Sequence, residues 1–358
     1  MRTFYLKTFL AILLIALISP SAFAQNKDLP NIVVLATGGT IAGTGASATG
    51  SSYTAGQVRI GEMIDAVPNI RKLANLEGEQ TANVGSQDMN VEVWLILANR
   101  INELLAKEDV DGIVITHGTD TQEETAFFLN LTVKSEKPVV LVSAMRSSTA
   151  LSADGPLNLY NGVAVAASPE AKGKGVLVVI NDVILSAHSV KKMLTTPVHA
   201  FMSPEHGQLG TANFGLVEFF HEPHGLHTVN SQFSVAGVKS LPRVDIIYGC
   251  ADVSTDLIDI MIKAGAKGIV IAGVGDGNIN AGTLAAAKKA TKNGTPIVRA
   301  SRIPVGTVLI HGEVVDENYG TVASDELSPQ KARIVLMLAL QQNKNISREE
   351  LQELMINY

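Results

Sequence analysis

The chain has 358 residues, 46% of them hydrophobic and 17% charged, which supplies a large core and is too long for one comfortable domain. A formal net charge of −6 excludes the basic footprint that nucleic acid or an anionic lipid surface requires, and a lone cysteine, Cys250, excludes an internal disulfide. In its apolar context, IIYGCA, that cysteine reads as a small core residue.

In chain order, the first element does not belong to the fold. Arg2 and Lys7 give a positive start, residues 9–18 (FLAILLIALI) are unbroken apolar, and Ala22-Phe23-Ala24 has the small-x-small form of a cleavage site. The apolar run is about half of the ~20 residues that cross a bilayer, so a secretory signal over residues 1–24 is favoured over a membrane anchor. Its removal takes away Arg2 and Lys7 and no acid, moving the net charge from −6 to −8.

Apolar runs rich in Val and Ile then recur at residues 31–36, 112–116, 138–143 and 175–180, with amphipathic spacing at 91–105 and 123–133 between them. Near-continuous apolar runs fit strands covered on both faces, and alternation with helices implies a parallel sheet. Residues 221–242 lose all period and read as a linker. Beyond them, strands at 244–248, 268–272 and 295–299 alternate with helices near 254–264, 281–292 and 329–342. The expected fold is α/β: a larger N-terminal doubly wound, mostly parallel sheet domain over 25–220, a linker over 221–243, and a smaller C-terminal α/β domain over 244–358.

In an open parallel sheet, function sits where the carboxyl ends of the strands open into a crevice. The first strand ends in Thr37-Gly38-Gly39-Thr40, which lacks the third glycine of a dinucleotide fingerprint and the lysine of a Walker loop. A tight turn, an anion site and a presented threonine nucleophile all remain open there. The small, uncharged, glycine-rich stretch 43–56 reads as a lid above Thr40. The strand at 112–116 ends in HGTDT, whose Thr121 or Asp120 could cap the helix that follows, with Glu123 and Glu124 favourable in its first turn. A second threonine and an aspartate at this strand end exceed what a cap needs. A hydroxyl nucleophile needs a base, and Lys191 and Lys192, after the strand at 175–180, can supply a neutral amine as in Ser-Lys enzymes. A Thr-Lys-Asp relay follows from these residue types.

Together, LATGGTIAG and ITHGTDTQEET resemble the two signature segments of bacterial type II L-asparaginases, and the similarity continues through GSQDMN, SAMR, SADGPLNLYN and SPQKAR. The resemblance covers essentially the whole mature chain. It implies a periplasmic amidohydrolase that converts L-asparagine and water to L-aspartate and ammonia through a threonyl ester, with no metal or organic cofactor. Thr40 matches the primary nucleophile and Tyr53 the tyrosine carried over the substrate. Thr119, Asp120 and Lys192 match the second threonine, the aspartate and the lysine. Ser86 and Gln87 match substrate-binding positions, and Ala144 matches a backbone carbonyl that contacts the side-chain amide. Asn278 and Glu313 match residues that complete a neighbouring subunit's site, which implies a homotetramer. Asp276 stands where an asparagine is common, while Asn278 and Gln87 favour asparagine over the broader glutaminase-asparaginase reading. From another class, a periplasmic amino-acid-binding protein shares export, two α/β domains and a crevice, but gives no reason for a Thr-Lys pair.

Two further features read as structure. His221, His224 and His227 have i, i+3, i+6 spacing, but Pro223 and Gly225 break any helix that would align them, so a solvated linker is expected rather than a metal site. Asp154, with Pro156 behind it, reads as the N-cap of a scaffold helix around 156–165.

Overall fold

The computed structural model of the protein describes residues 28–50, 54 and 56–358, so the expected leader at 1–24 and Tyr53 lie outside the described residues. The larger domain is built on strands β1 (Asn31–Gly38), β2 (Asn75–Val84), β3 (Gly112–Thr116), β4 (Val139–Val142), β5 (Val176–Ile180) and β6 (Val183–Ser186). A short ribbon of β7 (Lys191–Lys192) and β8 (Phe201–Met202) precedes the last two strands, β9 (Gly210–Asn213) and β10 (Leu216–Phe219). The main sheet has the order β10-β9-β6-β5-β4-β3-β1-β2. Its half from β2 to β5 is parallel, and β6, β9 and β10 pair antiparallel.

The expected buried strands form because β3, β4 and β5 are apolar and covered on both faces throughout. Two elements absent from the sequence reading have simple causes. β2, NLEGEQTANV, is a half-exposed edge strand with nothing to bury on its outer side. β6 follows β5 through Asn181 and Asp182 at φ 51° and 63°, the left-handed pair that suits a two-residue hairpin.

Helices cover both faces: α1 (Ile60–Asp65) and, beyond it, α2 (Val91–Leu105), α3 (Gln122–Thr132) and α4 (Gly155–Ala167). In α2 and α3, Trp94 stacks on Phe128 at 5.1 Å and donates its indole N–H to Thr125 at 2.8 Å, so its one polar atom is satisfied in the core.

The smaller domain is a four-stranded parallel sheet, β11 (Val244–Tyr248), β12 (Gly268–Gly273), β13 (Ile297–Ser301) and β14 (Val322–Ala323), in that order. Helices α5 (Leu257–Lys263) and α6 (Ala281–Lys292) pack on one face. On the other lies α7 (Pro329–Gln342), followed by α8 (Arg348–Asn357). One continuous apolar cluster joins α2, α3 and the main sheet to α7 and the small sheet, so the domains share a core rather than touching through a polar seam.

The stretch read as linker is irregular apart from one turn, yet it is strapped down. Phe233 and Val235 are buried, Ser231 donates to Leu131 O at 2.6 Å, and Lys134 donates to Thr228 O at 3.3 Å. Cys250 is exposed, contrary to the expected core position, because it falls two residues beyond the end of the edge strand β11.

Candidate active site

The chain leaves β1 for β2 on one side and β3 for β4 on the other, so β1 and β3 flank the switch point where the strand order reverses. Four adjacent strand ends meet there, contributing Thr37 to Thr40 after β1, Gly85 to Gln87 after β2, His117 to Asp120 after β3, and Ser143 and Ala144 after β4. Gly39 and Gly118 lie backbone against backbone. A Cβ on Gly39, whose φ is +83°, would stand 2.4 Å from Gly118 N. Thr40 and Thr119 each follow one of these glycines, so the contact brings the two threonine-bearing turns together; both residues are buried.

Ser86 knits the β2 end to the β3 end. Its hydroxyl accepts from Asp120 N–H at 3.1 Å, and its carbonyl accepts from the Thr121 hydroxyl at 2.7 Å. Thr121 is therefore at the N-cap position of α3 without capping through its side chain. Gln87 is exposed beside Ser86 and donates to Asp88 at 3.2 Å.

Lys192 reaches this corner from the β7–β8 ribbon. Its Nζ lies 3.0 Å from Thr119 Oγ1 and 2.6 Å from Asp120 Oδ1, and its own N–H donates to Glu123 Oε2 at 2.5 Å. The other Glu123 oxygen accepts from Gln330 Nε2 of α7. Glu123, assigned to helix-dipole complementarity in the sequence, thus fixes the ribbon that carries Lys192 and ties it to the smaller domain. The sequence offered no signal for that, since the partners are 69 and 207 positions away. Lys191 points elsewhere, to Glu205 at 2.6 Å and Pro304 O at 2.7 Å.

His117 is no rival base. It is fully buried, burial pushes it down to about 4, and its Nδ1 lies 2.7 Å from the Gly118 carbonyl, which can only accept. The ring is therefore neutral with its proton on Nδ1. On the β4 side, Asp154 does not cap α4 through its side chain. Its carboxylate is taken by Met145 N and Arg146 N, both at 2.9 Å, because the β4 exit loop presents two N–H groups to it. With Asn158 donating to Ser143 O at 2.9 Å, the expected scaffold helix holds the turn that bears the buried Ala144.

The described part of the 43–56 segment doubles back on itself, with Thr44 bridging Thr54 and Gly56 N donating to Gly39 O at 3.2 Å. It is anchored to the 147–151 loop through Ser148, Thr149 and Leu151.

Among the described residues Asn278 and Glu313 make no hydrogen bond to this site; Asn278 Nδ2 donates to Glu313 instead. They sit on loops organised by Arg299, which is completely buried. Arg299 forks onto Asp316 at 3.1 and 2.7 Å and also donates to Asp276 O and Leu309 O. The Asp276 carboxylate accepts from Leu309 N–H at 2.8 Å, a role an asparagine oxygen could fill equally. The linker histidines do not converge as a trio. His221 bonds to Gln208 O and Glu222 O, His227 to Thr228, and His224 stacks on His206.

Among known proteins, the family model described as "Asparaginase, N-terminal" matches residues 31–225, and the one described as "Glutaminase/Asparaginase C-terminal domain" matches residues 243–355. A Haemophilus influenzae protein named "Probable L-asparaginase periplasmic" is 52% identical over 90% of this chain and 92% of its own. "L-asparaginase 2" of Escherichia coli strain K12 is 49% identical over 96% of each. A solved structure titled "Crystal Structure of Probable Cytoplasmic L-asparaginase from Campylobacter jejuni" matches with a TM-score of 0.88 and 47% identity, over 92% of this chain and all of that one.

The glycine contact generates a direct expectation. Gly39→Ala must push the β1 and β3 ends apart and hold an alanine at φ 83°, ψ −174°, a backbone region open essentially only to glycine, which alone costs about 1–3 kcal/mol. A lowered melting temperature together with lost turnover is expected, and a variant with unchanged melting and turnover would contradict the contact.

Proposed function

The chain belongs to the asparaginase family, and from the geometry of its strand-end corner we propose that it hydrolyses L-asparagine to L-aspartate and ammonia through a threonyl ester. The observation that carries this reading is the Lys192 amine, within hydrogen-bond reach of both Thr119 and Asp120, beside the glycine contact that brings up Thr40. In the proposed reaction the Thr40 oxygen bonds to the side-chain amide carbon. The hydroxyl proton passes to the departing nitrogen, and the C–N bond breaks to release ammonia. Water then adds to the ester, and the C–O bond to threonine breaks.

Thr119 and Lys192 are suited to move protons and Asp120 to hold the substrate ammonium. Ser86 is assigned to the α-carboxylate, Gln87 to substrate binding beside it, Ala144 to the amide, and Tyr53 to the same site by its match to the family's tyrosine. Backbone N–H groups at glycine-rich strand ends suit the oxyanion. Lys192 serves as a base only as the neutral amine. A second reading, favoured by the 3.0 Å Lys192 to Thr119 contact, puts the acyl group on Thr119.

Two assays separate these readings. Thr40→Ala is expected to abolish the trapped ester and lower kcat by at least about 100-fold, the low end for lost general acid–base or nucleophilic function; an ester trapped on Thr119 would transfer the role. Steady-state kinetics should give a higher kcat/KM for asparagine than for glutamine, and comparable values would favour the broader glutaminase-asparaginase reading.

Export to the periplasm is supported by the leader-like residues 1–24 and by the name of the Haemophilus relative. Asn278 and Glu313, bonded to each other and away from their own chain's Lys192, fit a role in a second copy's site, and the family resemblance implies that the assembly is a homotetramer. Native mass spectrometry of the secreted protein should find four chains each beginning at Gln25. An active monomer contradicts the assembly, and a retained leader contradicts the cleavage.

A further inference from the structure

Away from the strand-end corner, His188, His206 and Glu326 gather where the larger domain, the linker and the start of α7 meet. One potential ligand atom from each lies within 4.8 Å of the others. They come from three separate places: just after β6, after β8, and three residues before α7. His206 Nε2 is 2.6 Å from Glu326 Oε2, and the His188 and His206 rings meet edge to face at 5.6 Å. His224 stacks on His206 at 4.7 Å and meets His188 at 5.3 Å. The linker histidine thus joins two rings remote in sequence instead of its neighbours His221 and His227.

A core-packing role does not account for His188. The residue is 8% exposed, and its Nδ1 has no hydrogen-bond partner among the described residues, an arrangement that costs free energy unless something occupies the nitrogen. We propose that His188, His206 and Glu326 form a site for a first-row divalent cation of the Zn²⁺ class. Two imidazoles and one carboxylate are the donor set that zinc accepts with a fourth position left to water. Donors at ~2.0–2.2 Å from zinc in a tetrahedron stand about 3.3–3.5 Å apart, so separations approaching 4.8 Å must close by roughly 1 Å or somewhat more, while His206 and Glu326, 2.6 Å apart, must open. His206 and Glu326 are only partly buried and have room to turn.

The surroundings act in both directions. Asp325, next to Glu326 in the chain and half-buried, adds a second negative charge that favours a cation. Lys331 opposes an added cation: its Nζ donates to His188 O and Val190 O. Because Glu326 leads into α7 while both histidines belong to the larger domain, an ion here would clip the two domains together without touching Lys192 or the threonines.

The test is calorimetric titration of ZnSO₄ into the EDTA-stripped, full-length protein, with Co²⁺ absorption as a geometric readout. One equivalent per chain, tetrahedral-type Co²⁺ bands and a raised melting temperature are expected. His206→Ala and Glu326→Gln, both at partly exposed positions, should each weaken binding at least tenfold, while His221→Ala should not. No binding at micromolar Zn²⁺ would overturn the site, as would binding that survives both substitutions or is lost in His221→Ala.

Discussion

Everything at the strand-end corner depends on two glycines being allowed to touch. Parallel neighbours in a sheet run about 4.8 Å apart, and side chains normally keep their exits separate. At Gly39 and Gly118 no Cβ intervenes, so the β1 and β3 turns close to van der Waals contact. Gly39 at φ +83° turns the chain immediately before Thr40, and Gly118 leaves room for Ser86, whose hydroxyl would lie 2.6 Å from a Cβ there. Three strand ends are thereby drawn to one point, and the hydroxyl-bearing residues follow as a consequence of backbone geometry.

The lysine that serves this corner is held by a different device. A side chain on a two-residue ribbon has little secondary structure to fix it. Its position comes from Glu123, buried at the head of α3, which grips the Lys192 backbone with one oxygen and Gln330 with the other. The shared core between α3 and α7 holds those two grips in place. The smaller domain therefore bears on the larger domain's chemistry within a single chain, quite apart from any contribution by Asn278 and Glu313.

Buried parallel strands were legible because their apolar runs have no other use, and the bounds at 112–116, 244–248, 91–105, 281–292 and 329–342 are those seen. β2 was not legible, although it delivers Ser86 and Gln87, because an edge strand shows no continuous hydrophobic run. The Thr-Lys-Asp grouping could be reached from strand-end position and residue chemistry. Glu123 and Asp154 could not: each looked like a helix-end acid, and each spends its carboxylate on a loop that only the fold brings near. Cys250 misled for the converse reason, since its neighbours are apolar but the strand has ended.

The molecule also treats its two important carboxylate pairs in opposite ways, and the difference fits their tasks. Arg299 and Asp316 are both fully buried, and Thr321 adds a 2.6 Å hydrogen bond to the same carboxylate. Removing one member of such a pair leaves an uncompensated charge in the interior, so the arrangement locks the loops bearing Asp276, Asn278 and Glu313 into one geometry. Lys192 and Asp120 instead have side chains 17% and 58% exposed. An ion pair that open to water contributes at most about 1 kcal/mol, so the proposed exchange of one partner for a substrate ammonium costs little. A scaffold needs the first kind of pair. The proposed uptake and release of a charged amino acid at this corner needs the second.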